Sequence, residues 1–484
     1  MKVPLSAHLR AVRPPLRALI ERLGLDFPYA SVLASDCAGM RYTVQRQGAT
    51  AHESRWSERG YAVRVYVPAS EAGTAGSGGA YLEHSFNELP ANGLEAFAES
   101  LSEAFRLRAS QNLAAQPAAD PLTVEEPLAA SWQGEVAILP RELGAEEKFR
   151  RLQGIKDRAA QACRELVDIR VIYEEVAVAK LFLSVRRDLA QSYVWSQGYL
   201  IPIVRRAEVT RQMVRSFSGL KGPELIDEME AGLVATLAVA EELLGAEHIV
   251  PGEYDIILSP EAAGLLAHES FGHGVEMDMF VKGRAKAAHY VGRPVASPLV
   301  SLRDGARAAA QTGSCWFDDE GVLTGDTLVI DRGVLRGGIS DLLSALRLDS
   351  LPTGNGKRES FERKAYARMT NTFFTAGECS KEELIASVQH GYLLEKFLSG
   401  MEDPKNWGVQ GVILYAREIR DGQLTGKVVA PVIMTGYVPD VLGSVSKVSR
   451  ELAMSGSGMC GKGHKEYLKN SAGGPYLKAR MRLG

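Results

Sequence analysis

The chain has 484 residues, 45% of them hydrophobic and 24% charged, with a formal net charge of -3. This length points to two or three domains with a sizeable core, and the slightly acidic balance leaves no global basic field to recruit nucleic acid. No window of about 18 apolar residues occurs, so no membrane-spanning helix is expected.

The opening "MKVPLSAHLRAVRPPL" lacks an apolar core and a small-residue cleavage site, so export by the general route is not expected. Residues 6–24 read as an amphipathic helix interrupted at Pro14-Pro15. Short strands follow at "ASVLAS", "RYTVQRQ" and "AVRVYV". "ASEAGTAGSGG", 69–79, reads as a flexible hairpin loop and 93–110 as a helix, with Leu94, Phe97, Leu101 and Phe105 at helical spacing. "AAQPAADPLTVEEP" is a surface loop, and 146–166 a second amphipathic helix. From 167 to about 209 alternation and β-branching predict strands. Basic pairs such as Arg186-Arg187 and Arg205-Arg206 then read as solvated strand ends.

Residues 222–246 predict one long helix with Pro223 near its start. "YDIILS" is a short apolar strand. Ser259-Pro260-Glu261 then opens a helix: Ser259 can cap it and Pro260 fits its first turn. After about 313 turns and strands dominate, and "TLVIDRGVLRG" and "REIRDGQLTG" carry hairpin signals. The fold class expected is α+β: an amino-terminal α/β domain, 1–221, and a mostly antiparallel β carboxyl-terminal domain, 222–484, carrying the Ser259 helix.

That helix runs into "HESFGHGVEMD", 268–278. His268 and Glu269 stand as in a zinc-protease helix, but the second histidine, His273, comes five residues after the first instead of four. A four-residue step turns about 40° past a full turn and keeps two side chains on one face. A five-residue step overshoots by about 140°. A shared site therefore needs broken helical geometry: either a π-bulge, or a helix that ends at Gly272 and turns His273 back. Glu269 is placed to take a proton from water activated at a metal. Glu276 and Asp278 either orient the imidazoles or are exposed acids.

A catalytic zinc takes three protein ligands, so a third donor must come from elsewhere. "SGSGMCGKGHKEY", 455–467, offers Cys460 on a glycine-rich loop, with His464 as a rival donor or a surface histidine. Thiolate with imidazole selects zinc over magnesium or calcium. The five cysteines, 37, 163, 315, 379 and 460, are scattered, which fits free thiols in a reducing, cytoplasmic setting. Lys462 and Arg368 either assist the oxyanion or bind a peptide carboxylate, against the plainer reading of solvated surface charge.

These residues resemble the TldD/PmbA metalloproteases, also called modulators of DNA gyrase. "HESFGHGVEMD" matches the family's H-E-x-x-x-H-x-x-E-x-D at each fixed position, and "MCGKGH" matches its late C-G-K segment. "DDEG" (318–321), "PTGNGKRES" (352–360) and "RMTNTFFTAGECSKEELI" (368–385) are similar to the blocks between, in the same order. The likeness covers roughly residues 160–470. It implies a TldD-type subunit with zinc on His268, His273 and Cys460 and Glu269 as general base. It implies a dimer, either of two like subunits or with a metal-free PmbA/TldE-like partner, that cleaves unfolded or extended peptides in an enclosed cleft. Where the family commonly has glycine and glutamine after the late block, this chain has Gly463-His464.

The function expected is thus a zinc-dependent peptidase. The alternatives are a non-catalytic regulatory or peptide-binding subunit with a structural zinc, and a metal hydrolase of non-peptide amides. No nucleic-acid-binding motif and no membrane segment are read.

Overall fold

The computed structural model describes residues 1–69, 79–90, 92–112, 120–462 and 466–484. Most of the expected loop at 69–79, part of the loop that begins at 114, and His464 lie outside the described residues.

Helix α1 (Ala7–Asp26) starts where Ser6 Oγ accepts a hydrogen bond from Leu9 N at 3.0 Å. The expected interruption at Pro14-Pro15 does not occur: the helix runs straight through both prolines. Leu9, Leu16, Leu19, Ile20 and Leu23 are all fully buried on one stripe, and that packing outweighs the backbone bonds the prolines remove. Helix α2 (Leu94–Asn112) joins it through Ala98, Leu101 and Phe105. Both lie on a sheet of nine strands among the described residues, ordered 79–86, 58–68, 29–45, 166–184, 187–206 and 128–133, with three short strands at its flanks. Every pairing in it is antiparallel except that of Leu128–Gln133 with Arg187–Arg206.

Helix α3 (Ala145–Ala162) stops four residues short of its expected end, because Cys163 is already extended and leads into the strand Leu166–Ser184. The single helix expected over 222–246 is two, α4 (Leu225–Ala231) and α5 (Leu233–Glu242), with a short turn after them. They part at Gly232, where a Cβ would fall 2.6 Å from the Phe217 ring. Their apolar faces join one cluster with Tyr42 and Tyr173 of the first sheet and Tyr415 and Val428 of the second.

The second sheet has eleven strands among the described residues. Gly252–Leu258 pairs in parallel with His390–Asp403 and antiparallel with Ser471–Leu483, and further pairings through Gly408–Arg420 and Val432–Tyr437 close a ring of strands. The two expected hairpins are present. Arg332-Gly333 and Asp421-Gly422 both have positive φ at each central residue, as a two-residue turn between twisted strands requires. Helix α6 (Pro260–Phe271) packs against this sheet. Its middle, Ala262 to Ala267, is apolar all round, and Ala262, Ala263, Leu266, Ala267 and Phe271 are fully buried, as expected of a helix enclosed in a core. The fold is therefore α+β, with a largely antiparallel carboxyl-terminal part that carries the His268 helix.

The segment around 315–322 joins the halves. Arg64 Nη1 meets Glu320 Oε1 at 2.5 Å, Gln191 Nε2 donates to Phe317 O at 2.9 Å, and Lys180 pairs with Asp319. Arg187 is half-buried and its Nη1 donates to Gly321 O at 2.5 Å, whereas Arg186, whose Nη1 donates to Glu125 O at 2.9 Å, is exposed, as are Arg205 and Arg206 at the far end of the same strand. Among the described residues, no helix is long and apolar enough to cross a membrane.

Candidate metal centre and active-site cleft

Ser259 Oγ caps α6, accepting from Ala262 N at 3.4 Å, and Pro260 takes the first turn. The helix carries His268 and Glu269 in its last turn and ends at Phe271. Gly272 closes it with a backbone bond to His268 O, and a short 3-10 turn, His273–Val275, follows. The chain thus takes the second of the two routes open to it, ending the helix instead of bulging it. A Cβ at Gly272 would lie 2.1 Å from Met369 Sδ and 2.4 Å from His268 O, so only glycine fits there. The outcome is proximity: the rings of His268 and His273 lie 4.9 Å apart, almost perpendicular at 88°.

Cys460 comes from the strand Met459–Lys462, which pairs with Glu466–Lys469. Its Sγ lies 2.9 Å from His273 Nε2. One donor atom from each of His268, His273 and Cys460 lies within 4.8 Å of the others. The set fits zinc in its chemistry. Burial opposes the Cys460 thiolate, yet His273 and His268 outweigh it and bring the thiol down to about 5, so a thiolate is available at neutral pH. His273 Nδ1 is engaged by Glu276 Oε2 at 3.4 Å, which leaves Nε2 for the site.

Glu276 anchors a buried ion network. It is 1% exposed, and burial, which opposes its charge, is overcome by Lys462, His273 and Arg368, which hold the carboxyl far below its usual range. Lys462 Nζ reaches Glu276 Oε2 at 2.9 Å and Asp278 Oδ1 at 2.6 Å. Arg368 Nε faces Glu276 Oε1 at 3.3 Å as an ion pair without hydrogen-bond geometry, and its Nη2 donates to Cys460 O at 2.9 Å. The plainer reading of Arg368 and Lys462 as solvated surface charges is therefore overturned: Arg368 is 2% exposed, and both are held by the carboxylates they hold in return. Glu276 and Asp278 are not exposed acids either. Only Glu276 touches an imidazole; Asp278 bonds Lys462 and Lys282.

Glu269 is buried beside the donors. Burial first, then a shared hydrogen bond with Glu402, push its carboxyl up to about 8. Glu402 lies near the end of the strand His390–Asp403 and was not among the sequence candidates. No motif marks it; two strand residues of ordinary composition, Gly400 and Glu402, meet the helix from across the sheet. A Cβ at Gly400 would sit 2.6 Å from Glu269 Oε1.

The first sheet supports the Cys460 strand from behind. Lys469 Nζ donates to Gln197 Oε1 at 2.6 Å and to Gly458 O at 2.9 Å, over the Trp195 ring at 4.9 Å. Tyr199 Oη donates to Ser457 O, and Gly456 N to Ser218 Oγ at 2.8 Å. A cavity of about 530 Å³ opens at the donors, lined by His268, Glu269, His273, Glu402 and Cys460 among others. Past Leu394 the strand His390–Asp403 has a strand neighbour on one side only among the described residues, and residues 397–402 line this cavity.

Comparison with known proteins agrees with this geometry. Residues 251–481 match the PmbA/TldA metallopeptidase C-terminal domain. A metalloprotease of Methanocaldococcus jannaschii is 32% identical over 49% of this chain and 51% of its own length. A metalloprotease TldD homolog of Haemophilus influenzae is 29% identical over 67% and 70%, and a zinc metalloprotease TldD homolog of Saccharolobus solfataricus 25% over 64% and 69%. The chain spans about half the length of the first of these, 51%, and 45% of a TldD homolog from Buchnera aphidicola. The solved structure of TldE from Thermococcus kodakarensis shares the fold over 97% of this chain and 100% of that one, at a TM-score of 0.71 and 16% identity. The H-E-x-x-x-H motif and the late cysteine strand both lie inside the matched region, so residues 251–481 are similar to the PmbA/TldA metallopeptidase C-terminal domain over the whole of the candidate site.

Proposed function

We propose that the chain is a zinc-dependent peptidase of the TldD type that hydrolyses unfolded or extended peptides. The observation that carries this is the convergence of His268, His273 and Cys460 within 4.8 Å, with Glu269 beside them at an open cavity. A cavity at the donors favours a catalytic over a closed structural metal. Zinc held by these three residues would supply a Lewis acid for a peptide carbonyl and make water more acidic. Glu269 takes the proton from the attacking water and returns it to the leaving amine. Burial and the hydrogen bond with Glu402 favour the protonated form of Glu269, so the base becomes available as pH rises. Glu276, Lys462 and Arg368 hold His273 and the Cys460 strand in place. The one-sided strand edge at 397–402 offers backbone groups to an extended chain, which suits unfolded substrates.

The same reading includes a division at 221/222, a dimer of like subunits or with a metal-free TldE-like subunit, and residence in the cytoplasm. The likeness in fold to TldE and the five free cysteines support the last two.

The test pairs Glu269→Gln with the parent. The amide keeps size and polarity but cannot accept the proton, so peptide cleavage falls about a hundred- to ten-thousandfold at equal zinc content. Cys460→Ala, which loses zinc, is the metal-poor control. A Glu269→Gln protein that keeps most of its activity with zinc bound removes Glu269 as the base.

A further inference from the structure

The space at the donors has walls of two kinds. The 530 Å³ cavity is lined by Leu265, Phe397, Leu398, Met401 and Met459 around the donor residues, and among the described residues no lysine, arginine or aspartate lines it. The adjoining 420 Å³ cavity shares His273, Glu402 and Gly461, but Lys282, Arg284, Lys462 and Glu466 line it. Isolated exposed apolar residues need no explanation. Here three converge on one cavity: Leu398 is 46% exposed, Met401 64% and Met459 47%.

Resting on the peptidase reading above, we infer that this cavity selects peptides carrying a bulky apolar side chain next to the scissile bond, seated against Phe397, Leu398, Met401 and Met459. Three features carry it. The cavity is continuous with His268, His273 and Cys460, so whatever fills it lies beside the reacting bond. Its polar lining, Glu269, Glu402, Ser399, Ser455 and Asn470, lies beside Phe397, Leu398, Met401 and Met459, and a charged side chain seated against those four apolar walls would lose water without a partner on them. Two of the wall residues are methionines, whose unbranched thioethers adapt to leucine, methionine or phenylalanine alike, so the preference is for apolar bulk and not for one shape. The strand 397–402 supplies both the wall and the free edge, so one element aligns the peptide backbone and receives the side chain.

The test uses the zinc-loaded chain with short unstructured peptides that differ at one residue, Leu, Phe, Ala, Asp or Lys, placed in turn on either side of the cleaved bond. On one side kcat/KM for Leu and Phe should exceed that for Ala by about ten- to a hundredfold, the worth of burying such a side chain. Met401→Lys, at an open position the fold tolerates, should erase that advantage and favour the Asp peptide, with zinc content unchanged. Binding of the same peptides to Glu269→Gln, followed by fluorescence anisotropy, should rank them in the same order without turnover. Equal kcat/KM and equal binding for the Leu and Ala peptides overturn the inference, as does an order that survives Met401→Lys. If no peptide is cleaved while binding keeps the apolar order, the peptidase reading fails and the apolar cavity stands. Cleavage without any order gives the reverse.

Discussion

Glu269 and Glu402 form the most consequential pair of side chains in the cleft. Burial and Glu402 together raise the Glu269 carboxyl to about 8. A general base works only when deprotonated, so activity should climb with pH through that titration. Replacing Glu402 with glutamine removes the repelling carboxylate and lowers the Glu269 titration. The acid limb of the kcat/KM profile should therefore move to lower pH in Glu402→Gln. A limb that stays where it is in the parent would separate the two residues. Sequence reasoning reached Glu269 but not Glu402, and the reason is physical. Glu269 sits in a contiguous motif, whereas Glu402 reaches it from a strand more than a hundred residues later, and only the sheet brings them together. Arg368 and Lys462 escaped for a related reason: a lone basic residue in a sequence reads as solvated because most are, and its buried acid partner is invisible until the chain folds.

Among the elements, α6 is the one whose start local chemistry writes in full. Ser259 and Pro260 are start signals that act within a turn and were legible, whereas the stop at Gly272 stayed one of two routes until the structure chose it over a π-bulge. The two hairpins were legible for the same reason as that start, since Arg332-Gly333 and Asp421-Gly422 carry the turn in their own backbone preferences. The helix through Pro14-Pro15 and the break at Gly232 were not, because each is decided by a distant neighbour: the sheet under α1, and the Phe217 ring beside Gly232. The end of α6 also makes a sharp prediction. Gly272→Ala has no room beside Met369 and His268 O, so the turn must shift and carry His273 with it. Metal affinity should fall on the order of ten- to a hundredfold, as when a partner that orients a ligand is lost, in a competition against a coloured chelator. Unchanged affinity would mean that His273 is not placed by that turn.

Across the whole molecule, the donors come from two directions. His268 and His273 stand at the end of the helix enclosed in the second sheet and in the turn that follows it, while the strand of Cys460 leans on the first sheet through Lys469, Tyr199 and Ser218. Lys469→Met keeps the apolar stem against Trp195 but cuts the bonds to Gln197 and Gly458. Zinc affinity should drop about tenfold in that variant, although the substituted residue is not a ligand, while thermal unfolding of the zinc-free protein changes little. Equal affinity in parent and variant would show that the Cys460 strand holds its place without the first sheet. This arrangement has a thermodynamic corollary. An ion gripped from both sides of a seam binds better when the seam is closed, and by reciprocity closes the seam when it binds. With zinc at the proposed site, metal occupancy and the seating of the Cys460 strand on the first sheet would be one coupled equilibrium, so scarcity of the ion would be felt first as a loosening at that contact and only later as loss of the fold.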